Sequence, residues 1–342
     1  IVPSYLEGKW VTPENPSKVA EVHDPSTGEL VAKVSAEGLD TAAAIEYART
    51  TGRAGLQELT IHERALKIKE LALYLQDNAQ ILKDMANKTG ANKRDNFPDI
   101  DGGISTLFTF SSKSRREMPN AKVVTDGEPE NFSKDGSFIG RHVYTSIPGV
   151  AVQINAFNFP VWGMLEKFAP AFIAGVPTIV KPATPTGYVT AECVRLMVQS
   201  GILPEGSIQL ISGSARDLLD YLDYRDHVAF TGSAATAHSL RTHDNVIKGG
   251  VKFTAEADSL NAAILATDVT ADSPEFAAYV KAVFGEMTSK AGQKCTAIRR
   301  AIVPNNLIDQ FIEALSQRLE EKVVIGDPRD ANATMGPLVS LD

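Results

Sequence analysis

Cysteine is scarce in this 342-residue chain. Only Cys193 and Cys295 occur, far apart, so there is no disulfide framework and no zinc-type spacing. The six histidines are scattered and none falls in an HExxH pattern, which argues against a metal site. No GxGxxG appears, so the commonest dinucleotide fingerprint is missing. There is no apolar run of membrane-spanning length, and the opening IVPSYLEGKW does not read as a signal peptide. Positive charge is in deficit, with 34 Lys and Arg against 42 Asp and Glu, a net charge of -8. That balance argues against a nucleic-acid or anionic-membrane surface. With neither repeats nor low-complexity segments, and with unpaired thiols, a reducing cytoplasm is the expected setting.

What remains is an ordinary globular composition, 43% hydrophobic and 22% charged, with length enough for two domains. The chain starts at Ile1 and stops in GPLVSLD, and both ends read as trimmed. Residues 5–35 alternate apolar and polar positions around a turn at 25–28, predicting short strands on a domain surface. Residues 39–110 carry apolar residues at helical spacing, with Gly90 as a stop and the interspersed charges read as solvated faces. Residues 118–147 are polar, turn-rich and then extended, predicting a projecting ribbon and an oligomer contact. From Gly149 short apolar strands alternate with helices: VAVQINAF, VPTIVKPA, SIQLIS and HVAFTGS are followed by helices near 162–174, 188–200, 215–222 and 234–241. That rhythm predicts an α/β fold with a mostly parallel sheet, whose ligands sit at the carboxyl ends of the strands. Two short strands around TAEADSLNAAIL, a helix at 274–289, a strand RRAIVP and a helix at 306–322 follow. A domain boundary is expected at 257–270.

Four strand ends and one turn carry polar residues that packing does not require. Asn158, in INAFNFPVWG, could cap a helix or donate to a developing oxyanion. Lys167, on the following helix, reads by default as a surface lysine. Lys181, ending VPTIVKPA, is either an edge lysine or a partner for ribose hydroxyls and phosphate. The FTGS turn at 230–233 opens a helix and offers backbone N–H groups to a pyrophosphate, a signal that many βα turns share. Glu256 lies in a stretch poor in charge, where desolvation would raise its pKa toward that of a useful base; a capping or salt-bridged glutamate is the alternative. Cys295, in KAGQKCT, is a small buried hydrophobe or, if exposed, a nucleophile.

The set and its order resemble the aldehyde dehydrogenase superfamily: Asn158 in NAFNFP, Lys181 in KPAT, FTGS, Glu256, GQKC ending at Cys295, then Gly326-Asp327-Pro328 and Met335-Gly336-Pro337-Leu338. The resemblance implies an aldehyde dehydrogenase-like α/β fold. A Rossmann-type parallel-sheet cofactor domain would comprise residues 1–117 and 148–256, a β-ribbon 118–147, and the N-terminal part of an α/β catalytic domain 257–342. The Glu-x-Phe-Gly-Pro motif of the superfamily is absent, which implies truncation at the C-terminus. By the same resemblance Cys295 is the nucleophile, Asn158 and the Cys295 N–H hold the oxyanion, Glu256 is the base, and Lys167 either helps relay the proton or tunes Glu256. Ala156, Phe157, Lys181, Ala183, Thr184, Phe230, Thr231, Gly232 and Ser233 would hold the cofactor. Thr184 stands where NAD-preferring members carry a glutamate that repels a 2′-phosphate, so NADP is the expected cofactor, with NAD also possible.

GISTLFTF, INAFNFPVWGMLEKFAP, EADSLN and EMTSKAGQKCTAIRR resemble more closely the dehydrogenase part of the ring-opening enzymes of phenylacetate degradation. The semialdehyde dehydrogenases of benzoate degradation, acting on dehydroadipyl-CoA semialdehyde, are a similar second group. The implied substrate is an aldehyde carried on CoA, and the implied assembly a homo-oligomer. A CoA-acylating dehydrogenase, a cofactor-free thiol hydrolase and an inactive assembly module are the competing readings.

Overall fold

The computed structural model describes residues 1–341, and Asp342, the end of the expected catalytic segment, lies outside the described residues. The chain opens with β1 (Ser4–Leu6), β2 (Lys9–Val11), β3 (Ala20–His23) and β4 (Leu30–Val34). A ribbon of β5 (Val124–Asn131) and β6 (Ile139–Tyr144) precedes the strand–helix region. There β7 (Ala151–Ile154), β8 (Thr178–Lys181), β9 (Ile208–Leu210), β10 (His227–Gly232) and β11 (Lys252–Ala257) follow in turn. Two short strands, β12 (Ala262–Ile264) and β13 (Arg300–Ile302), complete the set among the described residues.

The main sheet runs β11-β10-β7-β8-β9-β1-β2. Its first five strands are parallel, and β1 and β2 close one edge antiparallel. From β7 the chain winds outward through β8 and β9, then returns to place β10 and β11 on the other side of β7. The order therefore reverses between β7 and β10, and the crevice above that reversal is where ligands of such sheets bind.

Both faces of the sheet are covered, as expected for parallel strands. Successive residues point to opposite faces: on β8, Ile179 joins one core with Val152, Ile45 and Leu218, and Val180 joins the other with Leu71, Leu107 and Phe168. The larger core lies under the helices Ile61–Asp77, Gly102–Glu117, Trp162–Ile173 and Gly187–Gln199. A third, separate core of Leu265, Phe276, Tyr279, Val280, Val283, Leu307 and Phe311 sits beneath the β12–β13 pair and the helices Pro274–Thr288 and Ile308–Lys322.

Three expectations change. The opening hairpin does not merely lie on a surface; β1 hydrogen-bonds to β9 and lengthens the main sheet. The helix expected at 215–222 is a single turn at Leu218–Tyr221. Its leucines are already buried by that turn, and the Asp226 carboxylate accepts from the Asp223 N–H and bends the chain back toward β10. The charges of the 39–110 region are not all solvated. Arg64 is 1% exposed and donates to the carbonyls of Leu56, Leu59 and Ile173. Gly90 does end its helical segment, at φ 89°.

Candidate active site

A cleft of about 940 Å³ opens above the β7–β10 reversal. It is lined by residues that follow β7, β8, β10 and β11 and by the turn that carries Cys295. Asn158, Lys167, Lys181, Glu256 and Cys295 all reach it, as do Ala156, Phe157, Ala183, Thr184, Phe230, Thr231, Gly232 and Ser233. Every residue expected at the site is thus brought to one cavity. Their individual surroundings differ from expectation in three cases, described with the residues below.

Cys295 is exposed and Cys193 is fully buried. Burial drives the Cys193 thiol well above its ordinary pKa, so it is inert at neutral pH. The turn before Cys295 is tight: Lys290, Ala291 and Gly292 all have positive φ, at 50°, 51° and 74°. Only glycine adopts that region freely, so the two non-glycine residues are held there by partners at an intrinsic cost of about 1–2 kcal/mol each. The buried Asp95 carboxylate accepts from the Lys290 N–H at 2.8 Å, and the Lys290 ammonium lies 4.8 Å from the Phe159 ring centre. Lys294 pairs with Glu286 at 2.8 Å. Asn261 donates its amide to the carbonyls of Cys295 and Ala297, and Arg299 donates to those of Gly292 and Lys294. Among the described residues no acceptor takes the Cys295 N–H, which leaves it available to an oxyanion.

Asn158 caps no helix, since the helix behind it starts at Trp162 with no side-chain cap. One amide hydrogen goes to the Gln293 carbonyl, two residues before Cys295, at 3.0 Å. An amide nitrogen has two hydrogens, so the second can serve a ligand. The loop that carries Asn158 is fixed through the Trp162–Ile173 helix, which has a buried charge at each end. The Asp99 carboxylate, 1% exposed, accepts from the Val161 and Trp162 N–H groups at 3.1 and 2.9 Å, while the Arg64 guanidinium holds the Ile173 carbonyl at the far end. Both charges complement the helix dipole. Desolvation pushes the Asp99 pKa up against the opposing pull of Lys290 and those two N–H groups.

Lys181 ends β8 inside the cleft. Among the described residues its ammonium meets only the Pro182 carbonyl, at 3.2 Å, and no carboxylate pairs with it. Burial lowers its pKa, and an anion arriving here would favour the protonated ammonium.

Lys167 is only 16% exposed, so it is not a surface lysine; its ammonium pairs with Glu166 at 2.8 Å and reaches the Gly163 carbonyl, so its carboxylate partner is Glu166 and not Glu256. The second difference is at the FTGS turn. Its N–H groups are not all free: Ser233 Oγ accepts from Thr236, and Asp258 Oδ1 accepts from Ala234 at 3.1 Å. Thr231 Oγ1, within the turn, is buried with no partner among the described residues. A side chain at Gly232 would collide with the Phe230 ring, 2.6 Å from the position of a Cβ, so the turn's floor is an aromatic edge with bare backbone above it. Glu256 is the third difference. It is exposed, because β11 is the edge strand and Glu256 shares its outward face with Lys252 and Thr254. The desolvation expected for it is absent.

Asp95, Asp99, Asp258, Asn261 and Arg299 escaped the sequence reading. Asp258 and Asn261 sit in EADSLN, two and five residues after Glu256, and polar residues in so short a link between strands were the one available signal.

The aldehyde dehydrogenase family model matches residues 10–342. The chain is 42% identical over 338 residues to the 3,4-dehydroadipyl-CoA semialdehyde dehydrogenase of Aromatoleum evansii, which covers 98% of this chain and 65% of that protein. It is 26% identical to the alpha-ketoglutaric semialdehyde dehydrogenase of Bacillus subtilis, over 98% of this chain and 66% of the relative. Among solved structures, betaine aldehyde dehydrogenase of Staphylococcus aureus in complex with NAD+ superposes with a TM-score of 0.83 at 24% identity, covering 99% of this chain and 65% of that one. An NADP-dependent enzyme of E. coli also gives 0.83 at 24% identity, over 99% of this chain and 67% of its own. The chain thus spans about two thirds of the length of the relatives it matches. Among the described residues no helix is long and apolar enough to cross a membrane.

Proposed function

The chain belongs to the aldehyde dehydrogenase family, and from that premise we propose that it oxidises an aldehyde to a carboxylic acid through a thioester on Cys295. The observation that carries the proposal is convergence. An exposed thiol, an amide held against its loop, a lysine without a counter-charge and a phosphate-type turn all line one cleft at the sheet's reversal.

In this reading Cys295 attacks the aldehyde carbon as thiolate. The free hydrogen of the Asn158 amide and the Cys295 N–H receive the oxyanion, an arrangement whose donors are each worth about 3–4 kcal/mol of barrier. A nicotinamide dinucleotide, when bound, supplies the hydride acceptor that turns the hemithioacetal into the thioester. Glu256 then takes a proton from water, which attacks the thioester and releases the acid and the thiolate. Exposure makes Glu256 accessible to that water. Lys167, paired with Glu166, acts at the cleft wall as a positive neighbour for the carboxylate product.

The residues present fit a dinucleotide. Lys181, buried without a carboxylate partner, suits ribose hydroxyls or a 2′-phosphate, and the orphaned Thr231 Oγ1 and the bare backbone over the Phe230 ring suit a close-lying phosphate. Ala156, Phe157, Ala183 and Thr184 line the adjoining wall, and Ser233 closes the turn. Thr184 brings no negative charge beside Lys181, which supports NADP over NAD.

For the substrate, the 42% identity to a 3,4-dehydroadipyl-CoA semialdehyde dehydrogenase supports a CoA-linked semialdehyde of aromatic catabolism. It favours the dehydroadipyl-type substrate over the phenylacetate-derived one. Residues 1–117 and 148–256 form the cofactor-binding part in this assignment, and 257–342 belong to the catalytic part. The β5–β6 ribbon, with Phe132, Phe138, Ile139, Val143 and Tyr144 all exposed, is assigned to contact with a second copy. A reduced thiol is indispensable to this chemistry, which suits the cytoplasm.

The test is a panel of CoA-linked and free aldehydes offered to the protein at its natural length with NADP+ or NAD+, following the absorbance of the reduced nicotinamide. Turnover of dehydroadipyl-CoA semialdehyde with NADP+, well above that of short free aldehydes, is expected. Inactivity toward every aldehyde with both cofactors would remove the proposal.

A further inference from the structure

Asp258 occupies an unusual position. It is one of few non-glycine residues with positive φ, at 54°, and it stands just past β11 on the cleft wall. It grips the phosphate-type turn from both sides: its N–H donates to the Gly232 carbonyl at 3.2 Å and its Oδ1 accepts from the Ala234 N–H at 3.1 Å. Ala234 begins an eight-residue helix, so this carboxylate sits on the positive end of a helix dipole. With Ser233 Oγ on the Thr236 N–H, two of the N–H groups that a phosphate would use are already taken.

The residues immediately after Asp258 hold the nucleophile loop. Ser259 Oγ accepts from Arg299 Nε, and Arg299 in turn grips the carbonyls of Gly292 and Lys294. Asn261 holds the carbonyls of Cys295 and Ala297 through its side chain, and its own carbonyl accepts from the N–H groups of Arg299 and Arg300. One four-residue segment, 258–261, therefore bridges the turn at 232–234 and the turn at 292–297.

We propose that Asp258 is a positioning residue that couples the dinucleotide turn to the Cys295 loop. The proposal rests on the dinucleotide assignment above. A phosphate at the helix N-terminus and the Asp258 carboxylate compete for the same N–H, and two anions do not share it. Displacement frees the segment that carries Ser259 and Asn261, and so resets the hold of Arg299 and Asn261 on the cysteine loop. No covalent step is involved; the carboxylate exchanges one hydrogen-bond donor for solvent.

The experiment uses ADP, which carries the pyrophosphate but has no nicotinamide to shield the thiol. Alkylation of Cys295 by iodoacetamide is timed with and without saturating ADP; the buried Cys193 does not interfere. In the wild type, ADP is expected to change the rate by at least about threefold. Asp258→Gly, free to adopt the same φ but lacking the carboxylate, is expected to bind ADP about two- to fivefold more tightly, the effect of one charge at a helix end, and to lose the response. Asp258→Asn keeps the acceptor oxygen without the charge and is expected to bind more tightly with a reduced response. A purely structural role would shift melting and basal reactivity but leave the ratio with and without ADP unchanged in the variants, and that outcome overturns the proposal. So does an unresponsive wild type that binds ADP. If neither ADP nor NAD(P)+ binds, the cofactor assignment fails as well. Circular dichroism establishes that each variant is folded; should Asp258→Gly not fold, Asp258→Asn decides.

Discussion

Asp99 offers a sharp test of how the Asn158 loop is held. Its carboxylate is fully enclosed and accepts from two N–H groups, Val161 and Trp162, that begin the helix behind Asn158. Asp99→Ala removes the acceptor and orphans both donors. At about 1–3 kcal/mol for each buried group left unsatisfied, and after subtracting the relief of no longer burying a carboxylate, the expected loss of stability is about 2–4 kcal/mol. Asp99→Asn retains one acceptor oxygen and gives up only the charge, so it is expected to stay within about 1 kcal/mol of the wild type, the size of a helix-end charge effect. The pH dependence separates the two further. Burial raises the folded pKa above the ordinary 3.8. Between 3.8 and the raised value the folded state holds a proton that the unfolded state has lost, so stability falls as pH rises through that window. Asp99→Asn does not ionise and lacks that fall. Urea unfolding followed by fluorescence is the assay, since Trp162, one of the two tryptophans, reports on this helix. An Asp99→Ala protein as stable as the wild type would refute the reasoning.

Three further outcomes are expected. Asn158→Ala removes a donor from the proposed oxyanion site and is expected to lower kcat by about 10²–10³ with little change in dinucleotide affinity; unchanged kcat in steady-state kinetics would assign the amide a purely structural role on the Gln293 carbonyl. Glu256→Gln is expected to give a stoichiometric burst of reduced nicotinamide followed by slow turnover, because only the hydrolytic half needs the base; a rapid-mixing trace with no burst and normal turnover would exclude it. Lys181 has a folded pKa below its ordinary 10.5, so between the two values the folded apoprotein is neutral there and the unfolded state is charged. Stability from this group therefore rises with pH across that window, while affinity for a phosphate-bearing ligand falls across it. Calorimetric titration with NADP+ should show proton uptake on binding in that range, and Lys181→Met should abolish it.

The parallel strands and the helices between them were legible because apolar runs bounded by turns survive in any context. Strand ends were legible as the lining of the cleft because Lys181 and Asn158 interrupt apolar stretches without a packing reason. The exposure of Glu256 was not legible: whether a strand is at the edge of a sheet depends on which strands pair with it, and local sequence does not encode that. The roles of Arg64 and Asp99 were hidden for a related reason. Each looks like a charge on a helical face, and only the approach of the Trp162–Ile173 helix turns them into its buried end-pieces. The cysteine turn was half legible. KAGQKCT left its thiol open between a buried hydrophobe and an exposed nucleophile, and its clamps, Asn261 and Arg299, come from across a second sheet whose pairing the sequence does not state.

The central claim is that Cys295 becomes acylated. The most direct measurement is mass spectrometry of the Glu256→Gln protein, quenched in acid after mixing with a CoA-linked semialdehyde and NADP+. The account predicts that the peptide containing Cys295 gains the mass of the acyl group in near-stoichiometric yield, and that Cys295→Ala introduced beside it leaves every peptide unmodified. An unmodified Cys295 alongside substantial formation of NADPH would contradict it.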